Sequence, residues 1–530
     1  MSNHLQKLIE QAKRWKQFFE IRPGVLTIQA DEIVGKVISF YERVRRILDW
    51  REQHLVRRNA LERILKRRFF LKNNVDAEEF ILEVIQAGYF PNNQIPRSKT
   101  QEVKRIFEKY FYILSHAQPP KSKNRGQFYH LILDIASCEI ESTLDPASYF
   151  KNDSLIEFME SFIKERILIG KKILGQGLLT EEEKFKQIYI AVQQALLKYD
   201  KPLIVFNLLR REHSDWSSPS PEKLEQITQN LHFSFSSYEN SLDSPLANKF
   251  YNLCEKYDTI YLLIGDVIFG DPAKVEENIS HPEIFERLIR KNYERRLSTL
   301  KIRMTAAAFF STLSIFLSKV LVLYALEIPL EKAIGGNFNI LAQTVDVLVP
   351  MSLMFILITS IRLPRDENLA TVIKEVRKIV YPVEERDIYE VDIQQARQKF
   401  LKIFTQFLYS ILSLSTFGGI IYVLFRLHFS ILSMIIFLIF ASMTSFTGVI
   451  LRKRARELTV IEKKESLSHL VIYPIALPLV YLGKWLAARW EKINILSVIF
   501  DYLIETPFFG LVSFLKYWRN LLKEKKDSLR

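Results

Sequence analysis

Through most of residues 1–303, apolar residues recur three and four positions apart, the spacing of helices with one buried face. Alternating, strand-like patterns are nearly absent; Leu203-Ile204-Val205-Phe206 is one short run of that kind. Helix starts are legible at Asp76-Ala77-Glu78-Glu79 and Thr180-Glu181-Glu182-Glu183, where a capping residue precedes a Glu by three positions. Ser220-Pro221 places proline in a first helical turn. Breaks are expected at Phe90-Pro91-Asn92-Asn93, at Pro119-Pro120 and across 214–221, and the Ser/Asn-rich stretch 234–245 reads as a loop.

After residue 303 the pattern changes. Ile403–Phe425 and Phe429–Leu451 are uncharged for 23 residues each, matching the roughly 20 residues a helix needs to cross ~30 Å of hydrocarbon. Two earlier runs, 304–326 and 340–361, each contain one charge, Lys319 and Asp346. Pro350 in the second is tolerated in a membrane helix when its neighbours satisfy the freed carbonyl. Two later segments are ambiguous. Residues 466–483 contain Pro474 and Pro478, and 493–515 contain Asp501, Glu505 and Pro507. With Trp485, Trp490 and Trp518 and basic residues at their borders, both are expected to lie on the inner leaflet; a six-span arrangement is the alternative.

The fold class expected is therefore all-α: a multi-pass α-helical membrane protein with a large N-terminal cytosolic helical domain. Residues 1–303 form that domain. Residues 304–451 form a four-helix transmembrane bundle (304–326, 340–361, 403–425, 429–451) with a cytosolic loop, 362–402. Residues 452–530 supply membrane-associated helices and a basic tail.

Charge sets the expected orientation. Seven Lys/Arg lie in 285–303, nine in 362–402 and six in 452–464, whereas the short connections between spans carry only Lys332 and Arg426. Basic residues mark the cytoplasmic side, so both ends of the four-helix set face inward. The N-terminus has no apolar signal-peptide core, which places the chain in the inner (cytoplasmic) membrane with its N- and C-termini cytosolic. The 530-residue chain holds 74 Lys/Arg against 60 Asp/Glu, a formal charge of +14. That excess favours anionic partners, lipid headgroups before nucleic acid. Tyr41–Lys72 concentrates it, with eleven Lys/Arg against four acids, and Arg57, Arg58, Lys66, Arg67 and Arg68 are its candidate anionic-lipid contacts.

Chemistry is sparse. Cys138 and Cys254 are far apart and fit a buried, reduced state rather than a zinc site or disulfide framework. Gly175-Gln176-Gly177 lacks a third glycine, and no P-loop, H-E-x-x-H or G-x-S-x-G occurs. No cofactor is implied. At 1.5 Å per residue, Lys319 and Asp346 reach a common depth in the outer part of the bilayer, where they are expected to form an intramembrane ion pair. Asp501 and Glu505 share a helix face as a candidate carboxylate pair. Ala307, Ser311, Ser314 and Ser318 on the first span, and Ala441, Thr444, Ser445 and Gly448 on the fourth, form small-residue stripes that let helices approach closely. The expected function is a non-enzymatic membrane-anchored scaffold with an unknown protein partner. The alternatives are a transporter or channel subunit using Lys319/Asp346, which with four spans implies a homo-oligomer, and a lipid-acting enzyme using Asp501/Glu505.

Overall fold

The structure, a computed structural model, describes residues 2–19, 26–29, 53–71, 76–169, 180–334, 340–361, 363–364, 366–381, 389–391, 398–460, 467–493, 514, 517–518 and 521. Apart from one short parallel ladder, Ile167–Ile169 (β1) with Tyr389–Val391 (β2), the described elements are helical. The chain forms two compact units: Met1–Tyr293 with Leu369–Ile393, and Glu294–Asn368 with Gln394–Arg530. Gly175-Gln176-Gly177, Asp501, Glu505 and nearly all of 493–515 lie outside the described residues, as do residues 41–52 of the basic stretch.

The first unit is built from α1 (Asn3–Trp15), α2 (Gln53–Leu71), α3 (Ala77–Gln86), α4 (Lys99–His116), α5 (Arg125–Leu144), α6 (Pro146–Arg166), α7 (Glu181–Leu196), α8 (Lys201–Glu212), α9 (Pro221–Leu242), α10 (Ala247–Gly270) and α11 (Val275–Ser280). Asp76, Thr180 and Ser220 cap α3, α7 and α9 by accepting backbone N–H groups. In α1, Leu5, Leu8, Ile9 and Ala12 form one buried stripe against α6. α5 packs against α2, α4 and α8 and is buried on several sides. Its acid Glu139 is well partnered: Lys109 Nζ donates to its oxygens at 2.6 and 2.8 Å, Tyr110 Oη at 2.8 Å and Trp216 Nε1 at 3.0 Å. Such a satisfied network specifies one packing of α4, α5 and the turn before α9.

Two expectations are corrected here. Residues 234–242 are helical within α9, because Phe235, Tyr238 and Ser241 bury one face that outweighs the turn preference of Ser and Asn. Leu203–Phe206 lies in α8, buried all round, so an apolar run too short to show its period is helix rather than strand. Cys138 and Cys254 are buried, free thiols.

α15 (Asp366–Val380) and β2 return the chain to the first unit. Tyr381 Oη donates to the Ile279 carbonyl at 2.8 Å, Arg377 pairs with Glu286, and β2 pairs with β1 in register Ile167↔Tyr389.

The second unit contains the later part of α12 (Pro282–Val322), a π-helical turn at Leu323–Glu327, α13 (Ile328–Ile334), α14 (Ile340–Thr359), α16 (Gln398–Arg426), α17 (Ile431–Ala455) and α18 (Leu467–Ile493). Four helices, Pro282–Ala333, Ala342–Thr359, Phe404–Arg426 and Ile431–Ala455, are long and apolar enough to cross a membrane. Their outer faces leave large apolar side chains open, with Phe309, Leu321, Leu414 and Ile431 63, 69, 79 and 79% exposed. α17 packs against α14 and α18 through its small residues: Ala441, Thr444, Ser445 and Gly448 are buried, and a Cβ on Gly448 would meet Leu357 Cδ1 at 2.6 Å. On α12, by contrast, Ser314 and Ser318 are exposed, so the stripe expected there is open at those two positions.

The turn between α16 and α17 is set by backbone chemistry. His428 adopts φ +58°, Phe429 N–H bonds to the Leu424 carbonyl and His428 N–H to the Phe425 carbonyl. This is a Schellman close with histidine in the left-handed position usually given to glycine, and Leu424 and Phe429 pack in one apolar cluster beside it. Ser430 then caps α17, accepting Ser433 N–H at 3.1 Å.

Candidate functional site

Lys319 near the end of α12 is fully buried, although lysine is almost never so placed without a partner. It has two. Its Nζ lies 2.5 Å from Asp346 Oδ2 on α14 and 2.7 Å from Glu327 Oε1, and both acids are 0% exposed. The Phe440 ring of α17 stands 5.1 Å from the ammonium. Glu327 reaches Lys319 across eight residues because the helix widens into the π-helical turn between them.

Glu327 Oε2 is 3.1 Å from Ser433 Oγ, which is also 2.8 Å from Glu331 Oε1; Ser430 Oγ donates to Glu331 Oε1 at 2.6 Å and lies 3.1 Å from Ser433 Oγ. Polar groups thus run without a break from Asp346 through Lys319, Glu327 and Ser433 to Glu331 and Ser430. Beside them is a small cavity of about 20 Å³ lined by Glu331, Gln343, Asp346, His428, Ser430 and Ser433, together with Ala342 and Phe429. Exposure falls along this lining: His428 is exposed, Glu331 and Ser430 half-buried, and Ser433, Gln343 and Asp346 buried.

Compared with protein-family models, curated proteins and solved structures, the chain matches none of them.

One buried cation faces two buried carboxylates, with a third acid one serine away. In a low dielectric a net negative charge is costly, so the cluster holds a proton or attracts a cation unless it reaches water. Among the described residues no group of three or more His, Cys, Asp or Glu is placed to hold a metal ion.

Lys319 and Asp346 are legible in the sequence as a pair. Glu327, Glu331, Gln343, Ser430 and Ser433 are not. Glu327 lies one residue beyond the apolar run ending at Leu326, where its only signal is its spacing from Lys319 along a continuing helix.

The five candidate lipid contacts on α2 meet acids of their own unit. Arg57 Nε lies 3.1 Å from Glu141 and its Nη1 2.9 Å from Asp145; Arg58 pairs with Asp200 and Lys66 with Glu62. Arg68 is 2.8 Å from Glu83 and 3.2 Å from Glu79, and Arg67 also pairs with Glu83. Arg67 is 46% exposed, the other four far less. Burial lowers the Lys66 ammonium's affinity for its proton, against the pull of Asp134.

Proposed function

We propose that the protein is a multi-pass protein of the inner (cytoplasmic) membrane whose helical bundle moves a proton or small cation by means of the Lys319–Glu327–Asp346 cluster. The observation that carries this is the excess of buried acid over buried base, 0% exposed, inside helices whose outer faces are apolar. Charged groups are retained at such depth chiefly where ions or protons pass. Four to six spans make a small transport unit, so the working form in this proposal is a homo-oligomer.

The first unit lies in the cytosol in this reading. Two arguments support one side for it and for the 362–402 loop. The basic residues concentrate in both, and Leu369–Ile393 is part of the first unit. α18 is read as a further crossing, not a surface helix, because Gly483 meets Ser442 in the middle of α17 and Tyr481 meets Tyr409 in α16 with ring centroids 5.4 Å apart. This favours the six-span alternative.

A membrane-anchored platform is the second reading. It is favoured by the size of the first unit, which two separate stretches of the chain, Met1–Tyr293 and Leu369–Ile393, build together. Its lipid partner is the anionic headgroup layer; its protein partner is to be sought by pull-down with the full chain.

The test is ion and proton flux in vesicles reconstituted with the parent protein, Lys319→Ala and Asp346→Ala. Flux in the parent that is lost in both variants supports transport. No flux in any of the three overturns it and leaves the platform.

A further inference from the structure

We propose that the cavity beside Asp346 is a proton-binding port: it holds one water between Gln343 and Asp346 and links the buried cluster to the surface at His428. The inference rests on the transport reading for its purpose but not for its chemistry, and it names the proton as the ion taken.

Three observations converge. The first is a pair of unpartnered polar atoms. Gln343 is 8% exposed, and its Nε2 has no hydrogen-bond partner; Asp346 is 0% exposed, and its Oδ1 has none either. Both residues line a cavity of about 20 Å³, and one water needs ~10–15 Å³ and two to four polar partners. A water there accepts from the amide and donates to the carboxylate, so one molecule satisfies both orphaned groups.

The second is a shortage of hydrogens. Four oxygen–oxygen contacts join Ser430, Ser433, Glu331 and Glu327, at 2.6, 3.1, 2.8 and 3.1 Å. Each serine brings one hydroxyl hydrogen, and ionised carboxylates bring none. Two of the four contacts lack a hydrogen, and a protonated carboxyl supplies one of them. The arrangement is therefore built for at least one proton more than its hydroxyls supply.

The third is the charge around Asp346. The charged and titratable groups facing it are Lys319 from α12, Glu327 from the π-helical turn, Glu331 from α13 and His428 from the turn before α17. One fixed cation opposes three acids. A proton donated by hydronium or by the His428 imidazolium passes over the bridging water to Asp346 Oδ1, leaving neutral water or imidazole behind. The gradient from exposed His428 to buried Asp346 makes the cavity the wet end of this path. Gln343 and His428 are positioning and relay residues; Asp346 is the acceptor.

The full-length protein in nanodiscs is titrated by infrared difference spectroscopy of the protonated carboxyl stretch, and proton uptake is followed in vesicles with a pH-sensitive dye. A titrating carboxyl band in the parent, reduced in both Asp346→Asn and Glu327→Gln, is the expected result. His428→Gly suits the left-handed turn and removes the imidazole. It is expected to leave the melting temperature unchanged and slow proton uptake at least about tenfold, the scale of losing a positioned proton donor. Gln343→Leu is expected to shift the band without abolishing it. A band that persists unchanged in both acid variants overturns the port, as does a band that sodium suppresses at constant pH, which makes the site a cation site instead. A titrating band lost in Asp346→Asn, without vesicle flux, upholds the port and overturns only the transport reading. If Asp346→Asn fails to fold, His428→Gly and Gln343→Leu decide: parental uptake rate in the first and a parental band in the second overturn the port.

Discussion

Gly483 lies against the main-chain carbonyl of Ser442, closer than any side chain permits, so α18 and α17 cross at a glycine. The neighbour is backbone and cannot turn aside. Gly448 is crowded too, but by the end of a leucine side chain, Leu357. Gly483→Ala is therefore expected to cost more than Gly448→Ala, beyond the ~1–3 kcal/mol of ordinary overpacking, and to part α18 from α17. Cross-linking of a Tyr409→Cys/Tyr481→Cys pair reads the docking directly. Equal melting temperatures for the two alanine variants, with cross-linking intact, would count against the crossing.

The Lys319 cluster carries a second expectation, this time for stability. Lys319→Met leaves Glu327 and Asp346 buried without a cation, and breaking a buried ion pair from one side typically costs about 3–5 kcal/mol. Removing every charge at once is far milder, because the desolvation cost disappears with the charges. The triple variant Lys319→Met/Glu327→Gln/Asp346→Asn should melt well above Lys319→Met in the same detergent. A triple variant that is no more stable than the single one would sink the argument.

How much of the fold and the site is legible in the sequence depends on the length of the signal. The four long apolar helices are legible because a run of 23 residues without a charge, such as 403–425, leaves a helix no polar face to turn toward water. The pairing of Lys319 with Asp346 follows from depth arithmetic along two antiparallel helices. Glu327 is lost to a boundary: the apolar run ends at Leu326, while the helix continues through a π-helical turn. Ser430 and Ser433 look like a cap and a packing residue, and only the three-dimensional meeting of α13 and α17 gives them an acid to bind. The basic face of α2 is legible as charge but not as pairing: Arg57 and Arg58 meet Glu141 and Asp200, acids more than eighty residues away.

Acidity within the helical unit gives a third prediction. Burial pushes the Glu141 carboxyl up from 4.5 to about 7, against the pull of Arg57 and Arg58. Between those pH values the folded protein holds a proton that the unfolded chain has released. The folded state thus binds more protons, and stability falls as pH rises through the window. Asp134 and Asp258, each pushed up to about 6 by burial, add slopes of the same sign. Glu141→Gln should match the parent near pH 4.5 and exceed it above pH 7 by about 1–3 kcal/mol, since Arg57 keeps Asp145 at 2.9 Å. Thermal unfolding across pH, with hydrogen exchange followed at α5, measures this. A variant less stable than the parent at pH 8 would mean that the Arg57 pair outweighs burial.

Topology can be read by single-cysteine labelling, and the chain is suited to it because both natural cysteines are buried. α18 has 27 residues, about 40 Å at 1.5 Å per residue, enough to cross the bilayer. It follows α17 closely, and its crossing with Ser442 falls 16 residues from Leu467 and 13 from Ala455, as two antiparallel helices leaving the same surface would require. Cysteines at Arg456 and Lys374 should then react with an impermeant maleimide only after the cells are opened. Those at Lys332 and Arg489 should react from outside. Labelling of Arg489→Cys from the cytoplasmic side alone would return α18 to the inner leaflet. Labelling of Lys332→Cys from that side would invert the whole bundle, and with it the direction from which a proton reaches His428.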